Sequence, residues 1–472
     1  MDNHAPLLER AFSLDVQEQS CTIDRIEGAV PDYVRGTYYL NGPARFSRDT
    51  FRYKHWLDGD GMVCSLRFEP DGIRFTNRFV RSQKFVDEAE AGRPLYRAFG
   101  TAFESDQLVR GIALASPVNV SAYPFANTLL AFGEQGLPYE LDPITLETRG
   151  LYTFGKRLNA ISPFSAHPKF DPDTGEMFNF GISFSATQPA LNLYRFDRAG
   201  KLDYRKRFPI DFPCSIHDFT ISQQYAIFYL SPYILDMEAL MRDGCSLLEA
   251  LKWEPERGSQ LFVISRETGE AVATIPVGEG YCLHLANAFE ADGQLTVDLL
   301  ELTQPVYDQY QVVPDLFPDV REALPVRFVV DLAHSTLVER RELGYRMMCD
   351  FPGLDLRKAT RECSDFWVLG ISNTPKAGRK FLDQLAHLNW DREDGYDIYQ
   401  APPKHYLGGE PVFIGNPDDP HDGVVICQMF DAEQVTSAFV LFDAFHVAKG
   451  PVATLHLAEP VHLGFHACFE PA

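Results

Sequence analysis

Four histidines could do chemistry together: His167 in Ser165-Ala-His-Pro-Lys-Phe170, His217 in Ser215-Ile-His-Asp-Phe219, His284 in Leu283-His-Leu-Ala-Asn-Ala-Phe-Glu290, and His466 in Leu463-Gly-Phe-His-Ala467. Each lies in an apolar or tight setting. Others of the 13 histidines occupy blander ones: His4 near the amino terminus, His334 and His446 in hairpin turns, His405 and His421 in polar loops. One such histidine alone is more often a satisfied structural group. Four neutral imidazoles brought to one point would make a site for a borderline metal such as iron, zinc, copper or nickel. A closed tetrahedral zinc would be structural, whereas iron could keep positions open for O2.

Other chemistries have no support in the sequence. No G-x-G-x-x-G follows a strand, and no phosphate-binding G-x-x-x-x-G-K-[ST] occurs. Neither a G-x-S-x-G nucleophile elbow nor an H-E-x-x-H helix is present. The nine cysteines are odd in number, scattered and without a C-x-x-C pair. That usage fits reduced thiols rather than a disulfide framework or a zinc site.

The elements that must carry the histidines read as strands. Short runs of Val, Ile, Phe, Tyr and Thr alternate with Gly, Asp and Pro punctuation. An apolar strand, a turn built on Asp or Gly and a second strand recur at Phe68–Arg74, Leu141–Glu147, Phe196–Leu202, Ile264–Glu270, Val330–Leu337, Trp390–Tyr396 and Phe442–Ala448. Seven hairpins at loose intervals of 52–73 residues predict a seven-bladed β-propeller, an all-β fold, with decorated loops. Residues 1–472 are then expected to form one domain, although length alone would allow several. Each of the four histidines falls in a different inter-hairpin interval. Since the innermost strand of every blade faces the propeller axis, the four imidazoles are expected to converge there.

Composition limits the partners. Lys and Arg number 43 against 66 Asp and Glu, a net charge of −23 with no basic run, which argues against nucleic acid and against electrostatic docking on anionic lipid. No apolar stretch approaches the roughly 18–20 residues of a membrane span. No secretory signal is visible at the amino terminus, and a cytoplasmic protein is expected. The clearest helical pattern is 232–253, with Gly244 interrupting it. It is expected to be a helix that decorates one end of the propeller and can lie in a membrane interface through Leu247, Leu248 and Trp253.

At this point the residues resemble a known family. Asn41-Gly-Pro43, His55-Trp-Leu-Asp-Gly-Asp-Gly-Met62, Ala166-His-Pro-Lys169, His217-Asp-Phe219, His284–Glu290 and Gly464-Phe-His466 together resemble the carotenoid cleavage oxygenases, over residues 41–466. The resemblance implies a seven-bladed propeller with a helical cap over Fe(II), and it places the cap and an apolar entrance at 232–253. The iron would be held by His167, His217, His284 and His466. It also implies a reaction in which O2 is inserted across a conjugated double bond to give two carbonyl products. Three acids would hydrogen-bond the ligands and fix their tautomers: Glu134, Asp350 and Glu410. The family normally has Glu at the Asp350 position, so a longer or water-bridged contact is expected there. With these acids, every inter-hairpin interval supplies one residue to the axis. Phe351 is assigned to the substrate tunnel by the same resemblance. His462, where the family often has Pro, is read as a neighbour rather than a fifth ligand, and His55 as structural.

The family's stilbene-cleaving branch carries a Lys just before the first of those acids. Here that position is Gly133. A carotenoid or apocarotenoid is therefore the expected substrate. A stilbenoid-cleaving oxygenase is the first alternative, and a metal-free propeller that binds apocarotenoids the second.

Overall fold

The computed structural model describes residues 5–472 except 110–112, 135, 186, 243, 313–315, 373, 375–379 and 393–394. Seven antiparallel sheets of four or five strands stand around a common axis as a seven-bladed β-propeller. All seven hairpins read from the sequence fall between the third and fourth strands from the axis, one per blade, as in Asp60–Glu69 with Gly72–Phe79 and Ala323–Asp331 with Thr336–Glu342. Outer strands such as Ala271–Gly278 alternate buried and exposed residues, while the second strand Thr128–Phe132 is buried along its length. This is the pattern of strands solvated on one face versus packed on both.

Two pairings close the ring. The carboxy-terminal strand Ala467–Pro471 lies at the axis against Gly36–Arg45, in the same sheet as Gln19–Thr22. Conversely, the early strand Ile26–Gly28 pairs with Pro451–His456 on the outside of the last blade. Each end of the chain thus completes the other end's blade.

The 232–253 expectation needs correcting. This stretch is not one helix. Tyr233–Leu235 pairs with Leu251–Trp253 as a two-stranded ribbon, and two short helical turns, Met237–Arg242 and Leu247–Ala250, span the gap. Its apolar side chains are largely spent on packing. Tyr233, Leu235, Leu240, Leu247 and Leu251 are buried in the core, whereas Met241 is 41% exposed. The longest helix among the described residues is instead Gln83–Ala91. The Ser82 hydroxyl accepts from the Phe85 amide at its start, and Gly92 takes the left-handed conformation (φ 65°) at its end. No helix is long and apolar enough to cross a membrane among the described residues.

Candidate metal centre

The innermost strands bring the expected residues together. His284, Asp350 and Glu410 lie within the inner strands Tyr281–Ala291, Met348–Gly353 and His405–Gly415. At each of the three the strand register shifts: between Cys282 and Asn287, between Asp350 and Gly353, and between Gly408 and Val412. Such bulges swing a side chain out of the regular alternation, here toward the axis. His167, His217 and His466 instead sit just ahead of the inner strands Lys169–Phe170, Thr220–Ile221 and Ala467–Pro471. Glu134 reaches the same rim by another route. It follows the second strand of its blade, whose end Phe132 pairs with Ser121 at the start of the inner strand.

One ligand atom from each of His167, His217, His284 and His466 lies within 4.8 Å of the others. The Nε2 atoms of His167 and His217 are 2.9 Å apart. Ring centroids are separated by 4.4 Å for His167–His466 and 4.9 Å for His284–His466. All four rings are buried, none more than 8% exposed. His462 does not join them. It is buried against Phe46, at a centroid distance of 5.3 Å.

The carboxylates face the outer nitrogens of three rings. His284 Nδ1 donates to Asp350 Oδ1 at 2.5 Å, so the expected lengthening for the shorter acid does not occur. His217 Nδ1 lies 2.8 Å from Glu134 Oε1, although the N–H direction falls short of an aligned hydrogen bond. His466 Nδ1 donates to Glu410 Oε2 at 3.3 Å. With a proton held at Nδ1, Nε2 keeps its lone pair for the axis.

Sequence reading missed one acid. Asp218, in the His217-Asp-Phe219 segment, is buried with Oδ1 2.7 Å from Lys169 Nζ and 3.8 Å from His167 Nδ1. Its Oδ2 accepts from the Leu285 amide at 3.0 Å. Asp218 therefore touches the segments that carry His167 and His284 while adjoining His217. Both charged residues were inside quoted motifs, but nothing in their spacing revealed the pairing.

Electrostatics favours the neutral form at two of these rings. Burial, aided by the neighbouring imidazoles, holds His167 well below its ordinary pKa. Burial likewise lowers His466, against the pull of Glu410. At His284 burial also pushes down, but the Asp350 charge and hydrogen bond outweigh it and leave the pKa raised. Asp350 moves the opposite way: burial pushes it up, and His284 with the Phe351 and Tyr310 donors brings it below the usual carboxylate range.

These residues fit a metal ion. His284 Nε2 is buried without a hydrogen-bond partner while its Nδ1 is committed to Asp350. An imidazole lone pair left bare in a dry interior is costly, and a cation at the point where four such nitrogens meet would satisfy it.

Beside His217 and Glu134 a cavity opens, with walls that include Phe99, Leu114, Ile216, Leu247 and Tyr307. Phe351 is not among its walls. That ring packs on the imidazoles of His284 and His466, at 5.7 and 5.1 Å, with its backbone in the left-handed region at φ 58°. At Gly133 the segment Ser116–Val118 closes in. A Cβ there would lie 2.2 Å from Ser116 Oγ and 2.8 Å from Val118 Cα.

Comparison with known proteins agrees with this architecture. The family model described as Retinal pigment epithelial membrane protein matches residues 12–471. The chain is 30% identical to the apocarotenoid-15,15'-oxygenase of Synechocystis sp. over 475 residues, covering 96% of this chain and 94% of that one. It is 27% identical to the isoeugenol monooxygenase of Pseudomonas nitroreducens, covering 94% of both. The crystal structure of cobalt-substituted Synechocystis ACO superposes with a TM-score of 0.90 at 27% identity, covering 99% of each chain.

Proposed function

The chain belongs to the Retinal pigment epithelial membrane protein family, the family of the carotenoid cleavage oxygenases, and on that premise we propose that it is an Fe(II)-dependent dioxygenase cleaving a conjugated C=C bond of a carotenoid or apocarotenoid. In the balanced reaction, one O2 supplies one oxygen atom to each carbon of the broken double bond, giving two carbonyl products. His167, His217, His284 and His466 would hold the iron. When bound, the iron supplies the electronic coupling that lets O2 react with a closed-shell polyene. The protein's own work is positioning. Glu134, Asp350 and Glu410 face the Nδ1 atoms and leave Nε2 turned inward. The apolar cavity walls exclude water and align the polyene beside the axis.

The carrying observation is the convergence of four buried imidazole nitrogens, three backed by carboxylates. It supports a working metal centre over the metal-free binding propeller. The pairing of both chain ends into each other's blades supports treating residues 1–472 as one unit. For a substrate drawn from lipid, the 232–253 excursion offers exposed Met241 outside and Leu247 in the cavity wall. A peripheral membrane contact would rest on that small surface.

The filled space at Gly133 disfavours the stilbenoid alternative, because the position has no room for the lysine of that branch. A panel of carotenoids, apocarotenals and a hydroxystilbene, with product masses locating the broken bond, tests the reading. Cleavage of a polyene to two carbonyl fragments is expected. Turnover of the hydroxystilbene alone would replace the reading with the stilbenoid one.

A further inference from the structure

We propose that Tyr310 is a positioning residue for the metal centre: its hydroxyl fixes the Asp350 carboxylate, which in turn aims the His284 imidazole. The inference rests on the four-histidine metal site proposed above. The two oxygens of buried Asp350 have separate partners. Oδ1 accepts from His284 Nδ1 at 2.5 Å and from the Phe351 amide at 2.9 Å, while Oδ2 accepts from the Tyr310 hydroxyl at 3.0 Å. A carboxylate held at one oxygen can rotate about its Cβ–Cγ bond. Held at both, it presents a fixed acceptor to the imidazole.

Tyr310 is itself held from behind. It ends the 3₁₀ turn Tyr307–Tyr310, and its ring meets Trp56 at 5.4 Å and Phe317 at 5.1 Å, both edge-on. The buried His55 ring anchors that turn. His55 Nε2 donates to the Tyr307 carbonyl at 2.8 Å, and Nδ1 accepts from the Leu57 amide at 3.1 Å, which fixes the tautomer. A backbone bridge from His55 to Gln311 ties down the following residue. The His55-Trp-Leu-Asp58 segment thus gains a role. It lies outside the metal cluster but supports it along a path from His55 through the 307–310 turn and Tyr310 to Asp350 and His284.

Cobalt(II) titrated into metal-stripped protein, followed by its visible absorption, reads metal affinity without turnover. Tyr310→Phe should weaken cobalt binding about tenfold, the low end of the roughly 10–100-fold typical when an outer partner of a metal ligand is lost. The metal-free protein should stay folded, its melting temperature lowered only by the few degrees that the loss of one buried hydrogen bond costs. In an Asp350→Asn background the same substitution should add little, because its route is already cut. Unchanged affinity in Tyr310→Phe, or an equal loss in both backgrounds, overturns the proposal. If Tyr310→Phe does not fold, His55→Asn carries the same test, since it releases the turn and keeps the Tyr310 hydroxyl. Failure of the unaltered protein to bind cobalt would overturn the four-histidine reading itself, a result distinct from either of these.

Discussion

His284 Nδ1 lies 2.5 Å from Asp350 Oδ1, the closest of the three imidazole–carboxylate contacts at the axis; Glu134 stands 2.8 Å from His217 and Glu410 3.3 Å from His466. The shortest acid therefore makes the tightest contact. Side-chain length does not set these distances: the inner strand is bulged at Asp350 and also around Glu410, whose contact is the longest.

That ranking predicts the order of mutational effects. Asp350→Asn should weaken metal binding by about 10–100-fold. Glu410→Gln should cost less, because a 3.3 Å bond is a weak version of a charge-assisted contact. Metal titration of the two variants checks this, and the reverse order would refute the geometric argument.

Loss of a ligand should do more. His284→Ala removes the one ring whose Nε2 is buried and unpaired while Nδ1 is bound by a carboxylate. Bound metal and cleavage activity should disappear together while the fold, followed by circular dichroism, persists. A variant with full activity would show that the ligand set is wrong.

Gly133→Lys tests the substrate assignment. The new side chain meets Ser116 Oγ and the Val118 backbone, so overpacking of about 1–3 kcal/mol is expected, with a lower melting temperature. No hydroxystilbene cleavage should appear. A stable variant that gains it would show that the Ser116–Val118 segment yields and that Gly133 alone excludes phenols.

Acid should destabilise the protein through buried neutral histidines. Burial depresses His55 to about 4 and His462 to about 3. The Pro43 and Ala44 carbonyls near His462 oppose the shift without forming aligned hydrogen bonds. Both folded-state values lie below the ordinary 6.5, so between them the unfolded chain binds more protons. Stability is therefore full above pH 6.5 and falls as pH drops toward 4, by about 2 kcal/mol per ring at pH 5. His462→Phe should flatten that decline in denaturant titrations at pH 5 and pH 7. An equally steep decline in the variant would contradict the burial argument.

Much of this molecule was legible in its sequence, and the gaps have physical causes. Turn chemistry is local, so the seven hairpins with Asp or Gly in their turns located the blades. The four histidines were visible because apolar neighbours surround each one. Packing partners are not local. Leucines at 235, 240, 247, 248 and 251 carry a helical rhythm, but Tyr233–Leu235 finds Leu251–Trp253 and becomes a ribbon. The bulges at His284, Asp350 and Glu410 depend on register with a neighbouring strand. Tyr310 is 40 residues from Asp350 and belongs to no motif. The Ser82 and Gly92 caps of Gln83–Ala91 were there to be read, but the apolar rhythm of 232–253 drew the helix assignment instead.

The metal content of the protein, purified without oxygen and without added metal, tests the central claim most directly. About one iron per chain is expected, because the described residues offer a single set of four such nitrogens. A folded chain that retains no transition metal, and takes up none from anaerobic Fe(II), would contradict it and leave the apocarotenoid-binding propeller in its place.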